Sequence, residues 1–349
     1  MSRILVVGGG YVGTHVVERM VEAGHDVVAL DGPAPAGRAL ARPGAVTIHA
    51  DLRSHETIAA VLDSVAPDVV VDVAMYADPQ GLVSHGLLRA AAEGEAVPMV
   101  FTSSSAVYGA PEVDTVDESL SAPTCESARA VREVEEAHEC ANRHERLSSI
   151  RLRCFEICGA HRSGRLGPAG AARALLMNAA VLAAFGQAPP LKVGASFATP
   201  DGTAVRDFVH VEDVADAHVL AVEALLDGVD GATFNVGLGI GWSVRQVIGA
   251  VERVTGRDVP TVVAALRPGE ASRLVADNTA ICERLGWTPL YRDIDRIAET
   301  AADWFAGQTD RRFKEVSHVP SSPRRHGRRW AGDGAPVARR QAGVGRGQR

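Results

Sequence analysis

Lysine and tyrosine are nearly missing from this sequence. Its 36 basic residues include two lysines, Lys192 and Lys314, and its 349 residues hold four tyrosines, Tyr11, Tyr76, Tyr108 and Tyr291. Neither lysine lies four residues after a tyrosine, so any mechanism that needs that pair one helical turn apart is excluded. Cysteine is also scarce. Cys125, Cys140, Cys154, Cys158 and Cys282 are odd in number and scattered, with no C-x-x-C pair, which argues against a disulfide framework and against structural zinc. No metal is expected. Long apolar runs are lacking at the start, where Ile4–Val7 is followed at once by glycines, so neither a signal peptide nor a membrane span is expected there. The sequence reads as a reduced, cytoplasmic protein.

What is present is the composition of a soluble, enzyme-sized chain, 46% hydrophobic and 23% charged, which excludes disorder throughout. Its net charge of −7 is unevenly spread. The segment 317–349 carries eight arginines and one acid, Asp333, a local +7 that leaves about −14 on residues 1–316. An acidic body argues against nucleic acid as a partner. From residue 307 onward the apolar periodicity fades, and the Arg/Gly/Pro-rich end reads as a disordered tail with almost nothing to bury.

Short β-branched runs at Ile4–Val7, His25–Leu30, Val46–His49, Asp68–Ala74, Val97–Thr102 and Ser149–Phe155 read as strands. Between them, Thr14–Ala23, His55–Val65, Leu82–Ala92 and Ser127–Asn142 read as helices. That alternation predicts an α/β fold, a Rossmann-like doubly wound parallel sheet covered on both faces. The second half predicts helices at Ala169–Phe185, Glu212–Leu226, Ser243–Val254, Thr279–Leu285 and Asp293–Phe305, with strands at Leu191–Val193, Arg206–Val209 and Thr233–Val236. Ser243-x-x-Gln246 has the form of a capping box. The expected division is a cofactor domain over residues 1–165, a smaller C-terminal substrate domain over 166–306, some chain exchange between them, and a basic tail over 307–349.

Gly8-x-Gly10-x-x-Gly13 follows the first strand and opens a helix. Gly8 permits the tight turn, Gly10 the approach of backbone to a pyrophosphate, and Gly13 close helix–strand packing, with the helix N-terminus favouring anionic phosphates. Asp31 ends the second strand, where a carboxylate accepts from both hydroxyls of an adenosine ribose and repels a 2′-phosphate. The pattern favours NAD over NADP. Asp51-Leu52 and Ala74 close the third and fourth strands at the edge where ligands of such sheets bind. Asp51 is a candidate for adenine contact or, equally, for a helix N-cap.

With these residues in view, Gly8-Gly-Gly-Tyr11-Val12-Gly13, Thr102-Ser-Ser-Ser-Ala-Val-Tyr-Gly109, Thr199-Pro-Asp-Gly-Thr-Ala-Val-Arg-Asp-Phe-Val-His-Val-Glu-Asp-Val-Ala215, Phe234-Asn-Val-Gly237 and Arg267-Pro-Gly-Glu270 together resemble the extended short-chain dehydrogenase/reductases of the NAD-dependent epimerase/dehydratase kind. The pattern is most like that of bacterial UDP-glucose 4-epimerases. The resemblance implies bound NAD, oxidation of a sugar 4-hydroxyl to a ketone, and return of hydride to the opposite face. It also implies a UDP- or dTDP-hexose as substrate, a homodimer through the long helices, and Arg206, Arg267 and Glu270 as substrate-binding residues.

The resemblance breaks at the acid/base pair. The family uses a Tyr, a Lys four residues later and a Ser or Thr from the preceding strand. Ser104 keeps the serine position, but Cys125 stands for the Tyr and Arg129 for the Lys. Glu156 stands where the family's Asn meets the nucleotide phosphates, and the stretch between Ala74 and Phe101 is shorter than the family's. Asp207, His210 and Asp213 read as structural, Asp213 as a helix N-cap. Two functions fit: an NAD-dependent nucleotide-sugar epimerase or dehydratase-like enzyme with Ser104, Cys125 and Arg129 as its catalytic group, or an inactive homologue that binds NAD or a nucleotide sugar without turnover.

Overall fold

The strands Arg3–Val7, Asp26–Asp31 and Val69–Asp72 bury apolar residues on both faces, and the layered architecture follows from that. A computed structural model describes residues 1–32, 44–76, 78, 80–93, 96–144, 147–266 and 269–317. Strands β1 (Arg3–Val7), β2 (Asp26–Asp31), β3 (Ala45–His49), β4 (Val69–Asp72), β5 (Met99–Ser104), β6 (Ser149–Cys154) and β10 (Ala232–Val236) form one parallel sheet in the order β10-β6-β5-β4-β1-β2-β3. Ile4 and Val6 of β1 point to one core, packed by α1 (Gly10–Glu22) and α6 (Val211–Leu226). Leu5 and Val7 point to the other, packed by α2 (His55–Val65) and α3 (Leu82–Glu93). The strand order reverses between β1 and β4, which opens a crevice at their carboxyl ends.

The remaining elements are α4 (Glu126–Arg143), β7 (Glu156–Cys158), α5 (Leu176–Ala184), β8 (Leu191–Gly194), β9 (Val205–His210), β11 (Gly241–Ser243), α7 (Val244–Thr255), β12 (Thr261–Ala264), β13 (Arg273–Leu274), α8 (Thr279–Leu285) and α9 (Ile294–Ser317). β9 pairs with β7, β11 and β13, and β12 pairs with β8. β10 comes late in the chain yet completes the main sheet beside β6, so its two halves are not separate in space. Met1–Thr309 form one compact unit and Asp310–Arg349 another.

Several local expectations are corrected. The helix expected over Ala169–Phe185 is broken: Gly170–Ala174 is a 3-10 turn, Leu175 is extended (φ −61°, ψ 144°), and α5 starts after it. Asn178 donates to Ala172 O at 2.8 Å and holds the break. Helix α9 continues past Phe305 to Ser317, so the apolar periodicity underestimates it; residues 318–349, with most of the expected tail, lie outside the described residues. Ser54, not Asp51, caps α2, and His210, not Asp213, caps α6. Asp213 instead accepts from the N–H groups of Leu290 and Tyr291. The Ser243/Gln246 capping box is formed.

Beneath the carboxyl end of β5 lies a buried ion pair. Glu135 of α4 meets Arg153 of β6 through two bonds of 2.9 Å, with side chains 0% and 3% exposed. Ser103 donates to the same carboxylate at 2.6 Å. Arg153 also donates to the Tyr108 hydroxyl and to the carbonyls of Glu118 and Leu120, each at 3.0 Å. The Tyr108 hydroxyl donates in turn to Asn235 Oδ1, and Asn235 Nδ2 donates to Val116 O. Burial pushes the Glu135 carboxyl up, but Arg153, Ser103 and Arg132 more than offset it, so the group stays ionised. Removing one charge of such a pair strands the other. Glu135→Ala is expected to lose about 3–5 kcal/mol in urea unfolding, and Glu135→Leu combined with Arg153→Met distinctly less; a loss below about 1 kcal/mol for Glu135→Ala would contradict this.

Candidate functional site

The crevice end of β1 is shaped by what three glycines leave out. Gly8 (φ +105°) passes so near Val73 and Ala74 that a Cβ would lie 3.0 Å from their backbone. At Gly13 a Cβ would sit 2.0 Å from Gly8 O, so α1 packs on its own turn only with glycine there. A Cβ at Gly10 (φ +87°) would meet nothing within 4 Å, and that open space lies at the start of α1, among N–H groups with no helical partner. Tyr11 and Val12 are buried, the Tyr11 hydroxyl donating to Gly159 O at 2.6 Å, so what they can offer a ligand is backbone. Asp31 reaches the same turn, accepting from Gly9 N–H at 3.1 Å and Gly32 N–H at 2.9 Å. The site thus combines open space at Gly10, a helix N-terminus and a carboxylate, a donor set that fits a dinucleotide with a free 2′-hydroxyl.

Ala74 is buried at the floor of the crevice and donates to Asp72 Oδ1 at 2.9 Å. Burial pushes the Asp72 carboxyl up to about 6. Leu52 packs against the α2/α3 core, and exposed Asp51 accepts from Arg53 N–H at 3.0 Å.

At the end of β5, Ser104 accepts from Ala106 N–H at 3.2 Å and starts the 3-10 turn Ser105–Tyr108. Helix α4 packs on that turn and begins after Cys125, its N-cap. The exposed Cys125 thiol is held below its ordinary range by the Ser127 hydroxyl 3.3 Å away, by N–H groups of the first turn and by the Arg129 charge. Arg129 lies one turn on, exposed, and lines a cavity of about 490 Å³ with Gln80, Glu126, Ser127, Ala130 and Glu133. Among the described tyrosine side chains none offers a substitute. Tyr11 and Tyr291 are bonded to Gly159 O and Glu212, and Tyr108 is raised to about 12 by burial; the Tyr76 side chain lies outside the described residues.

The segment before Cys125 connects the two ends of the site. A Cβ at Gly109 would lie 2.0 Å from Ala122 O, and Thr124 donates to Gly269 O at 3.4 Å. Beyond Gly269, Glu270 Oε1 lies 3.7 Å from Arg206 of β9, whose side chain is 14% exposed. Glu156 opens β7 in register with Phe208 of β9, and its charge acts on the Arg206 guanidinium more strongly than that of Glu270. Arg267 lies outside the described residues. Asp207 accepts from three backbone N–H groups and buried His210 stacks on Tyr291, structural roles both. Elsewhere, Glu18, Glu22 and His161 cluster closely enough to hold a cation, but Glu18 pairs with Arg165, Glu22 with Arg19, and His161 Nδ1 accepts from Ser163 N–H.

The chain matches the model of the NAD dependent epimerase/dehydratase family over residues 4–237. A UDP-glucose 4-epimerase of Azospirillum brasilense is 37% identical over 323 residues, covering 86% of this chain and 91% of the relative. Among solved structures, a UDP-glucose 4-epimerase from Brucella ovis in complex with NAD superposes with a TM-score of 0.81 at 30% identity, covering 87% of this chain and 98% of that one. One from Stenotrophomonas maltophila, with bound NAD and formylated UDP-arabinopyranose, gives the same score and identity over 89% and 100%. Among the described residues, no helix is long and apolar enough to cross a membrane. Matched by this family model over residues 4–237 and by these relatives over most of its length, the chain belongs to the NAD dependent epimerase/dehydratase family.

Proposed function

We propose that this protein is an NAD-dependent nucleotide-sugar epimerase of the UDP-glucose 4-epimerase type, with an unusual acid/base group. The observation that carries the reading is the likeness to UDP-glucose 4-epimerases over 86% of the chain, together with a glycine turn and Asp31 that suit NAD. Residues 1–165 would hold the cofactor and residues 166–306 the nucleotide sugar. Five free cysteines suit a cytoplasmic setting, and the long helices suit a homodimer.

Bound NAD would supply the hydride acceptor and donor that the sugar needs. The N–H groups at Gly10–Gly13 and the Asp31 carboxylate would hold its pyrophosphate and adenosine ribose. Asp51, Leu52 and Ala74 line the same edge of the sheet. Ser104 hydrogen-bonds the sugar hydroxyl that reacts. The Cys125 thiolate takes that hydroxyl's proton and returns it, and Arg129 stabilises the thiolate from one helical turn away. Arg206 and Arg267 receive the sugar's phosphates, and Glu270 the nucleoside ribose.

Two outcomes are expected. Protein purified without added cofactor releases about one NAD per chain on denaturation and converts UDP-glucose to UDP-galactose. Bound NAD without conversion of any UDP- or dTDP-hexose contradicts catalysis, and no affinity for NAD contradicts the whole reading. Second, turnover rises with pH as the Cys125 thiol ionises, at a pH below the ordinary thiol range. Cys125→Ala loses that limb and about 100-fold or more in turnover; an unchanged profile removes Cys125 from the mechanism.

A further inference from the structure

The turn that opens α1 is built of glycine, the residue whose backbone has most freedom to lose. Gly8 and Gly10 take φ of +105° and +87°. Gly9, the N-cap, offers no side-chain hydrogen bond, and the first turn of the helix carries no acid. Asp31 ties the Gly9 N–H from the sheet side. From the helix side Tyr11 reaches out: its buried hydroxyl donates at 2.6 Å to Gly159 O, 148 residues away in the chain. Gly159 is buried and directly follows β7, whose Cys158 lies in register with His210 of β9.

The acceptor is itself fixed from its other side. A peptide unit is planar, its C=O and N–H pointing opposite ways, and the unit that offers Gly159 O to Tyr11 offers Ala160 N–H to Thr300 Oγ1 at 3.1 Å. Thr300, on α9, donates its own proton to Ile297 O at 2.8 Å, so its oxygen is left to accept. His210 Nδ1 accepts from Glu212 N–H at 3.2 Å, which leaves the ring proton on Nε2, 3.1 Å from that same Oγ1. The fit is close: a Cβ at Gly159 (φ +86°) would lie 2.2 Å from His210 Cδ2 and 3.0 Å from Thr300 Oγ1. We propose that this clamped Gly159–Ala160 peptide is the anchor for NAD binding. Thr300 holds its N–H, Tyr11 ties the glycine turn to its C=O, and the helix N–H groups at Gly10–Gly13 are thereby kept at the spacing a pyrophosphate needs. Tyr11 and Thr300 are positioning residues, acting through backbone rather than on the ligand. A helix N-terminus binds an anion more tightly the less it must be reordered to do so. A residue of the 166–306 half thus helps to set how firmly the cofactor is held by the first half.

This inference rests on the proposed NAD binding, and release kinetics separate the two. NAD-loaded protein is moved into cofactor-free buffer and the NAD left on the chain is followed with time, with urea unfolding of the cofactor-free chain measured alongside. Tyr11→Phe removes the donor and leaves Gly159 O buried without it, and is expected to release NAD about tenfold faster. Thr300→Val, which lies away from the cofactor turn, is expected to speed release about threefold, whereas Thr300→Ser, which keeps the oxygen, matches the native rate. Because both residues act through one peptide, the double variant Tyr11→Phe/Thr300→Val stays near about tenfold, short of the roughly thirtyfold that independent effects would give. A bond with a merely structural role lowers the urea midpoint and leaves release within about twofold of native; that result, or a double variant showing the full product, overturns the inference and leaves the epimerase reading intact. Should Tyr11→Phe fail to fold, the two Thr300 variants carry the test, and equal release from both overturns it. A native chain that holds no NAD overturns the inference and the reading together.

Discussion

The ion pair between Glu135 and Arg153 is the constraint on which the reacting end of the molecule depends. Two charges out of water are tolerated only when each finds full geometric satisfaction, and here that condition links α4, β5, β6 and β10. Ser103 is fixed by the carboxylate, and the next residue is Ser104. Arg153 fixes the carbonyls of Glu118 and Leu120, and the chain from there runs through Thr124 to Cys125. Side chains separated widely in sequence are thus held by one buried pair, itself invisible from the surface.

Around that frame the two ends of the crevice differ in how firmly their chemistry is set. The cofactor end is backbone: glycines that exclude a Cβ, helix N–H groups and one carboxylate. The reacting end, in the function proposed, would be side chain, with a thiol and a guanidinium in place of a phenol and an ammonium. The exchange is not conservative. A thiol is shorter than a phenol but ionises more readily, and a guanidinium is a planar fork that stays charged, so the pair keeps the sign of the arrangement while changing its reach. Arg206 of β9 stands 3.7 Å from the Glu270 carboxylate, so its charge is partly compensated.

Much of this was legible in the sequence where the signal is local. Continuous β-branched runs separated by amphipathic segments identify all six early strands, and the α2 and α8 boundaries coincide with their patterns. The glycine turn and Asp31 were readable because turn geometry and strand ends are set by neighbours in the chain. The short strands β7, β11, β12 and β13 were not, since two to four residues carry no periodicity and are stabilised by pairing with distant partners. Capping shows the same limit. Asp213 has the right residue type before a helix, yet its carboxylate is recruited by Leu290 and Tyr291, and a histidine takes the cap. The placement of Glu156 beside Phe208 depends on β7 lying against β9, which no local pattern announces.

The central claim is that an epimerase scaffold is intact around a substituted acid/base pair. The most direct test restores the pair in one chain, Cys125→Tyr with Arg129→Lys, and measures conversion of UDP-glucose to UDP-galactose beside the native protein at equal NAD occupancy. An intact scaffold predicts a gain of about 100-fold or more in turnover. A restored chain that holds NAD and binds UDP-glucose, yet converts none of it, would contradict the account.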